Sequence, residues 1–268
     1  MNSDVPATNK KPAPEKISRP EIKHVIAVAS GKGGVGKSSV TALLAAGARR
    51  EGFKTGILDA DITGPSIPKM FGLETTREGR GFSPVESLLG VKIMSLNLLL
   101  PSEDDPVIWR GPLIGGMVKK FWKDVDWGEL DFLFIDLPPG TADAPLTVMQ
   151  LIPLDGLVVV SSPQDLAVMV VKKALKMAER LNIPVLGLVE NMSELVCPHC
   201  REKMEIFGPS KGEEVAEITG IPLLGKIPLD KRLAEYCDNG NIEQYESDLF
   251  KKLLQSWPLT SATAPGSS

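Results

Sequence analysis

The chain has 268 residues, 43% hydrophobic and 24% charged, with a formal net charge of -4. This is enough apolar material for one sizeable α/β domain or two small ones, and strand-like runs spread evenly without a linker favour one. The acidic balance, with no long basic run beyond the first twenty residues, argues against a dedicated nucleic-acid binder, and no apolar stretch reaches membrane-spanning length.

Residues 1–21 are rich in Pro, Lys, Asn and Ser, lack hydrophobic periodicity and read as a disordered tail; residues 258–268, "PLTSATAPGSS", read the same way. The polar N-terminus has no signal-peptide core, so a cytoplasmic protein is expected. In the single domain between, residues 22–257, apolar runs alternate with helical segments. "HVIAVAS", "TGILDAD", "VKIMSLN", "DFLFIDLP", "GLVVVSS", "VLGLVEN" and "LLGKIP" are apolar on successive residues, as strands buried on both faces are. "SSVTALLAAGARREG" and "VMVVKKALKMAERLN" carry apolar residues at helical spacing and end near Gly52 and Pro184. Repeated β-then-α units predict a doubly wound, mainly parallel sheet flanked by helices.

Between the first strand and the first helix, Gly31 to Ser38 reads GKGGVGKS, the G-x-x-x-x-G-K-[ST] phosphate loop in the context that motif requires. Its glycines, Gly31, Gly33, Gly34 and Gly36, let backbone N–H groups turn with that of Val35 toward one anion, and the helix entered at Ser39 points its positive end there. Lys37 would reach the β- and γ-phosphates of a bound nucleotide, and the Ser38 hydroxyl would ligate Mg2+. Lys32 departs from an ordinary loop. Its early position resembles the deviant Walker A group, which includes MinD, ParA, the arsenic-pump ATPase and the nitrogenase iron protein. The resemblance implies a homodimer in which Lys32 reaches the nucleotide of the other subunit, like an arginine finger.

Asp59 and Asp61, in "GILDADITGPSIP", fall where a strand gives way to a loop, a common place for carboxylates that serve magnesium or a water. The same resemblance gives Asp61 the attacking water and Asp59 the metal's hydration shell. "LDFLFIDLPPG" is an apolar strand ending at Asp136, a Walker B pattern, followed by Pro138, Pro139 and Gly140 in a loop able to sense the γ-phosphate. Asp131, the other acid there, is expected before the strand at its solvent end. No Gln or His stands out as a general base, so slow, partner-dependent hydrolysis is expected. A guanine-reading N-K-x-D is absent at "VENMS", which favours ATP. The amide of Asn191 offers a donor and an acceptor to a base edge, or caps a local turn. In the group resembled, the corresponding Asn reads adenine and the loop around Pro228 closes over the ring.

Cys197 and Cys200 in "VCPHCREK" have the C-x-x-C spacing that lets two thiolates meet one metal centre, with Pro198 tightening the turn. A thioredoxin-type dithiol would instead open a helix after an early strand. His199 reads as a surface residue and Cys237 as a packed thiol. A zinc site or a 4Fe–4S cluster typically takes four ligands, and two copies of the pair across a dimer axis provide them.

"SGKGGVGKS", "LDADITGPSIP", "WRGP", "WGELDFLFIDLPPGT", "VENMS", "CPHC" and "GKIPLD" together resemble the Mrp/ApbC family of iron–sulfur cluster carrier ATPases, from about Ile22 to Phe250. Ala142 stands where that family commonly has a glycine. The resemblance implies a homodimer that assembles or carries a bridging 4Fe–4S cluster, receives it from donor or scaffold proteins and transfers it to apo-proteins under ATP control. Differences at Pro138 to Gly140 and the Asp61 loop are expected to couple nucleotide to cluster. Cysteine count permits a 2Fe–2S cluster as readily. Two other readings compete: a zinc-stapled structural dimer, and a MinD-like ATPase that cycles on a membrane through a C-terminal amphipathic helix. For the latter, "IEQYESDLFKKLLQSW" does place apolar residues on one helical face, but its polar side mixes acids and bases, so core packing and no stable membrane association are expected.

Overall fold

All of the expected strands form. In the computed structural model, which describes residues 17–61, 64, 66–73, 82–95, 98, 111–141, 143–164, 167–197 and 199–257, they are β1 (Ile22–Ser30), β2 (Thr55–Asp59), β4 (Lys92–Ser95), β5 (Leu130–Asp136), β6 (Gly156–Ser161), β7 (Val185–Asn191) and β10 (Leu223–Ile227). With a two-residue β3 (Val85–Glu86) they make one sheet in the order β10-β7-β6-β1-β5-β2-β4-β3, parallel except where β3 pairs with β4. The order reverses direction at β1, so the loops after β1, β5 and β6 flank the crevice where such sheets bind ligands. A separate antiparallel pair, β8 (Leu195–Val196) and β9 (Lys203–Met204), stands apart from this sheet.

The continuous apolar runs reflect burial on both faces. Along β1, Val25, Ala27 and Ala29 enter one core while Ile26 and Val28 enter the other, and β5 splits Leu133 and Ile135 from Phe132 and Phe134 in the same way. The first core is covered by α3 (Gly111–Asp124), α4 (Asp143–Leu151), α5 (Ala167–Arg180) and α6 (Gly212–Thr219). The second is covered by α1 (Lys37–Arg50), α2 (Ile67–Met70), α7 (Lys231–Asp238) and α8 (Leu249–Ser256).

The C-terminal segment is two elements rather than one helical face. A 3-10 turn, Ile242–Gln244, precedes α8, and the Arg50 guanidinium donates to the carbonyls of Glu243 and Tyr245 in the break between them. Ile242, Leu249, Phe250 and Leu253 are buried, and Phe250 meets the rings of Phe53, Phe132 and Phe134 at 5.7, 5.1 and 6.3 Å. The apolar face of α8 is thus core, as expected.

Two local expectations change. Residues 17–21, read as tail, are tied to the domain. Trp122 Nε1 donates to the Ile17 carbonyl at 2.9 Å, and Arg19 donates to the carbonyls of Trp122, Lys123 and Val125 at the C-terminal end of α3, where a cation is favoured. Asp131 lies within β5 rather than before it. It accepts from Lys23 Nζ and Lys54 N, both at 2.8 Å, at the end of the sheet away from the phosphate loop.

Candidate nucleotide site and cysteine hairpin

Parallel pairing brings the functional strand ends together: β5 lies between β1 and β2, with Asp136 opposite both Val28 and Asp59. The loop from Ser30 to Gly36 curls over this edge. Gly36 caps α1 with a left-handed backbone (φ 81°), and a Cβ there would stand 2.1 Å from Asn191 Nδ2, so this position requires glycine. No side chain caps α1, and its first turn holds no acid, which leaves its N–H groups to an anion. The loop after β5 closes against the phosphate loop, where Gly140 N donates to the Ser30 carbonyl at 2.9 Å. Lys32 is exposed on the loop's rim.

Lys37 turns inward and is 5% exposed. Its Nζ lies 2.8 Å from Asp136 Oδ1 and 3.7 Å from Asp61 Oδ2. Asp136, fully buried, also accepts from Ser38 Oγ at 2.5 Å and Thr41 Oγ1 at 2.8 Å. Asp59 accepts from Asp61 N, Ser95 Oγ and Ile67 N at 3.2, 3.2 and 3.4 Å. Burial, and then the neighbouring Asp136 carboxylate, push its carboxyl well above the ordinary range, with Lys37 opposing. Asp59, Asp61 and Asp136 are thus gathered, buried, on the Lys37 side of the loop. Ser39, the next residue of α1, lies 3.9 Å from the Cys237 sulfur, whose half-buried thiol is raised by desolvation and packs against the core as expected.

The end of β7 joins this pocket to the cysteines. Asn191, 5% exposed, donates from Nδ2 to the Val35 carbonyl at 2.9 Å, so its amide braces the phosphate loop rather than capping a turn. Its strand partner Ile227 leads directly to Pro228. Glu190, 1% exposed, accepts from Ser210 Oγ at 2.5 Å and Lys211 N at 2.8 Å, where the chain returns from the cysteine loop. Ser193 donates to the Ile227 carbonyl through both N and Oγ, and Met192 between them is left-handed at φ 58°.

From this root rises the β8–β9 hairpin with the cysteine pair in its turn. Cys197 N donates to Glu202 O at 2.9 Å and Arg201 N to Cys197 O at 3.0 Å. Backbone N–H groups of Cys200 and then His199, followed by the Cys200 thiol, hydrogen-bond to the Cys197 sulfur and hold its pKa below the ordinary thiol value. Such a turn favours thiolate, the form that ligates metal. Cys200 and His199 are exposed. Among the described residues no three His, Cys, Asp or Glu side chains of one chain are grouped to hold a metal ion. Pro198, Ala142 and Trp109–Arg110 of "WRGP" lie outside the described residues.

Motif reading missed Thr41, Ser95, Glu190 and Ser193. Thr41 had a faint signal, four residues after Lys37 on the same helix face. The others are recognisable only through partners remote in the chain.

A glycine loop, a buried lysine followed by a serine, and a strand-end aspartate on a β1-centred parallel sheet define a P-loop NTPase of the MinD/ParA type. MinD of Pyrococcus horikoshii complexed with Mg-ADP shares that fold, with a TM-score of 0.61 at 19% identity over 87% of this chain and 94% of that one. The chain belongs to the family described as ParA, NUBPL iron-transfer P-loop NTPase, whose model matches residues 21–257. An iron-sulfur cluster carrier protein of Clostridium perfringens is 49% identical over 246 residues, 87% of this chain and 86% of that one. A nucleotide-binding protein of Archaeoglobus fulgidus, solved in complex with ADP, is 48% identical with a TM-score of 0.76, over 86% of this chain and 92% of that one. Among the described residues no helix is long and apolar enough to cross a membrane.

Proposed function

We propose that the chain is a homodimeric ATPase that carries a 4Fe–4S cluster between two copies of the Cys197–Cys200 pair and hands it to apo-proteins. The observation that carries this reading is the end of β7. Consecutive residues grip the phosphate loop (Asn191 to Val35) and the return of the cysteine loop (Glu190 to Lys211), so whatever moves one strains the other.

ATP would bind with its phosphates on the loop from Gly31 to Ser39 and its base near Asn191 and Pro228. Lys37 would exchange Asp136 for the β- and γ-phosphates. Ser38 and Asp136, with Asp59 behind them, fit a magnesium ion: hydroxyl and carboxylate already converge at 2.5 Å, the all-oxygen donor set that ion takes. The metal supplies charge neutralisation on the phosphates. Asp61 orients the water that attacks the γ-phosphorus, and Lys32 from the second copy meets charge developing on the transferred group. Hydrolysis rests on positioning and charge, and turnover is slow until a partner acts. The cluster is cargo. Two cysteines per chain, Cys200 exposed and Cys197 partly so, with no third ligand grouped beside them among the described residues, support completion of the site by a second copy. Burial of the α8 face speaks against the membrane-cycling reading.

The deciding experiment is anaerobic reconstitution with iron and sulfide, read by absorbance near about 400 nm, the region of thiolate-bound clusters. Wild type and Cys197→Ala/Cys200→Ala are compared, with mass determined in parallel. A brown dimer whose colour depends on the pair and whose cluster release changes with ATP is expected. A colourless chain that retains zinc would make the pair a structural staple. Release rates indifferent to ATP would end the coupling.

A further inference from the structure

The exposed side of α5 is a stripe of cations. Met169, Lys172, Lys173 and Lys176 recur at helical spacing on its outer face, while Val171, Ala174 and Ala178 are buried in the core. Lys172 and Lys176 are like charges four residues apart, and Lys173 and Lys176 three apart, spacings that disfavour the helix unless something opposes them. Nothing does. Among the described residues none of these lysines, nor Lys211 facing them, forms an ion pair, whereas Lys23, Lys54, Lys203 and Lys226 elsewhere on the surface do. The four lysines, with one acid, Glu214, ring a cavity of about 510 Å3 between α5 and α6 whose floor is apolar, formed by Val168 and by Met169, which is 48% exposed; four cations against one carboxylate leave the rim net positive. A chain of net charge -4 thus concentrates unpaired positive charge around one apolar hollow.

We propose that this groove docks an acidic amphipathic segment of a partner protein. Its apolar side chains fill the floor over Val168 and Met169 and its carboxylates meet the lysines. Neither terminal segment matches: residues 1–16 carry Lys10, Lys11 and Lys16 against Asp4 and Glu15, and residues 258–268 carry no charged side chain. The internal stretch 99–110, with Glu103, Asp104 and Asp105 beside Leu99, Leu100, Val107 and Ile108, has the same acidic and apolar character, and if it filled the groove the acidic peptide would not bind. A second copy laid on the same patch about a two-fold axis would set lysines against lysines. Nucleic acid or an anionic lipid surface would satisfy the charge but not the concave apolar floor. Lys211 is where the cysteine loop returns to β7, so the docked segment lies at the root of that loop. That the partner exchanges a cluster there rests on the function proposed above; the groove's preference for an acidic segment does not.

The test uses the full chain and fluorescence anisotropy of a labelled helical peptide of leucine and glutamate, leucines on one face. Its lysine counterpart, duplex DNA and phosphatidylglycerol vesicles are run beside it. The acidic peptide is expected to bind and its lysine counterpart not to. K172E/K173E/K176E, at exposed helix positions, should weaken binding about tenfold or more with an unchanged melting curve. Met169→Ala should weaken it without altering its salt dependence, which separates floor from rim. Cys197→Ala/Cys200→Ala should bind the peptide as wild type does, so failure of the carrier reading would not be mistaken for failure of the groove. Any one of four results overturns the proposal: no binding of the acidic peptide, equal binding of both peptides, no response to the triple variant, or binding of DNA or vesicles alone. A change of oligomeric state in the triple variant would mean that the face meets another copy, and would overturn it too.

Discussion

Around Lys37 each side chain has more than one neighbour holding it: Asp136 takes Lys37, Ser38 and Thr41, and Asp59 takes Ser95 and two backbone N–H groups. The β8–β9 hairpin is the opposite, two strands of two residues with Val196, Met204 and Ile206 exposed, held at its root where Glu190 takes Ser210 and Lys211. Both regions stand at the same edge of the molecule and share β7. The first is preorganised, its charges desolvated and fixed before any ligand arrives, as electrostatic catalysis requires. The second is a pair of strands too small to be stable alone, which suits a site that is finished by another molecule. Strain on β7 would therefore show at the hairpin before it disturbed the pocket.

The comparison breaks most visibly at Lys37. Lys37→Met leaves buried carboxylates uncompensated and should cost about 3–5 kcal/mol in urea unfolding, with loss of ATP binding in a fluorescent-nucleotide titration. Gly36→Ala, which forces a Cβ onto Asn191 at a left-handed position, should cost about 1–3 kcal/mol. It should also raise the alkylation rate of Cys200 by loosening β7; an unchanged rate would mean that pocket and hairpin are independent. Thr41→Val removes one donor to Asp136 and should cost about 1–2 kcal/mol by the same unfolding measurement. Asp59 sharpens the electrostatic side. Its folded pKa is raised above the ordinary value of 3.8, so its contribution is whole below that value and is lost as pH rises towards the raised one. Asp59→Asn should flatten the decline in urea midpoint as the pH rises above the ordinary value of 3.8. The smallest effect belongs to the hairpin: Cys197→Ser/Cys200→Ser should shift stability by no more than about 0.5 kcal/mol, since the cysteines lie outside the core.

Much of the site was legible because its parts are neighbours in the chain. The spacing from Gly31 to Ser38 specifies a loop and a helix start within a few residues, and Cys197 and Cys200 are brought together by a single turn. The strands were equally readable, since burial on both faces leaves an unbroken apolar run such as "GLVVVSS". The hairpin strands were not, because two residues each carry no period. Nor was the hold of Arg19 on α3, a contact between a polar, proline-rich stretch and carbonyls more than a hundred residues away.

By itself the amino-acid sequence determined the phosphate loop, the alternation that makes a doubly wound sheet, and the presence of a paired-thiol turn, because each acts over a span shorter than one helix or strand. Only the tertiary structure decided which charges meet. Ser38 reaches Asp136 across 98 residues and Asn191 reaches Val35 across 156, because parallel strands must be joined by crossovers and neighbours in such a sheet are distant in the chain. It also decided that one strand, β7, holds the nucleotide loop with one residue and the cysteine loop with the residue before it, since successive side chains of a strand project to opposite faces.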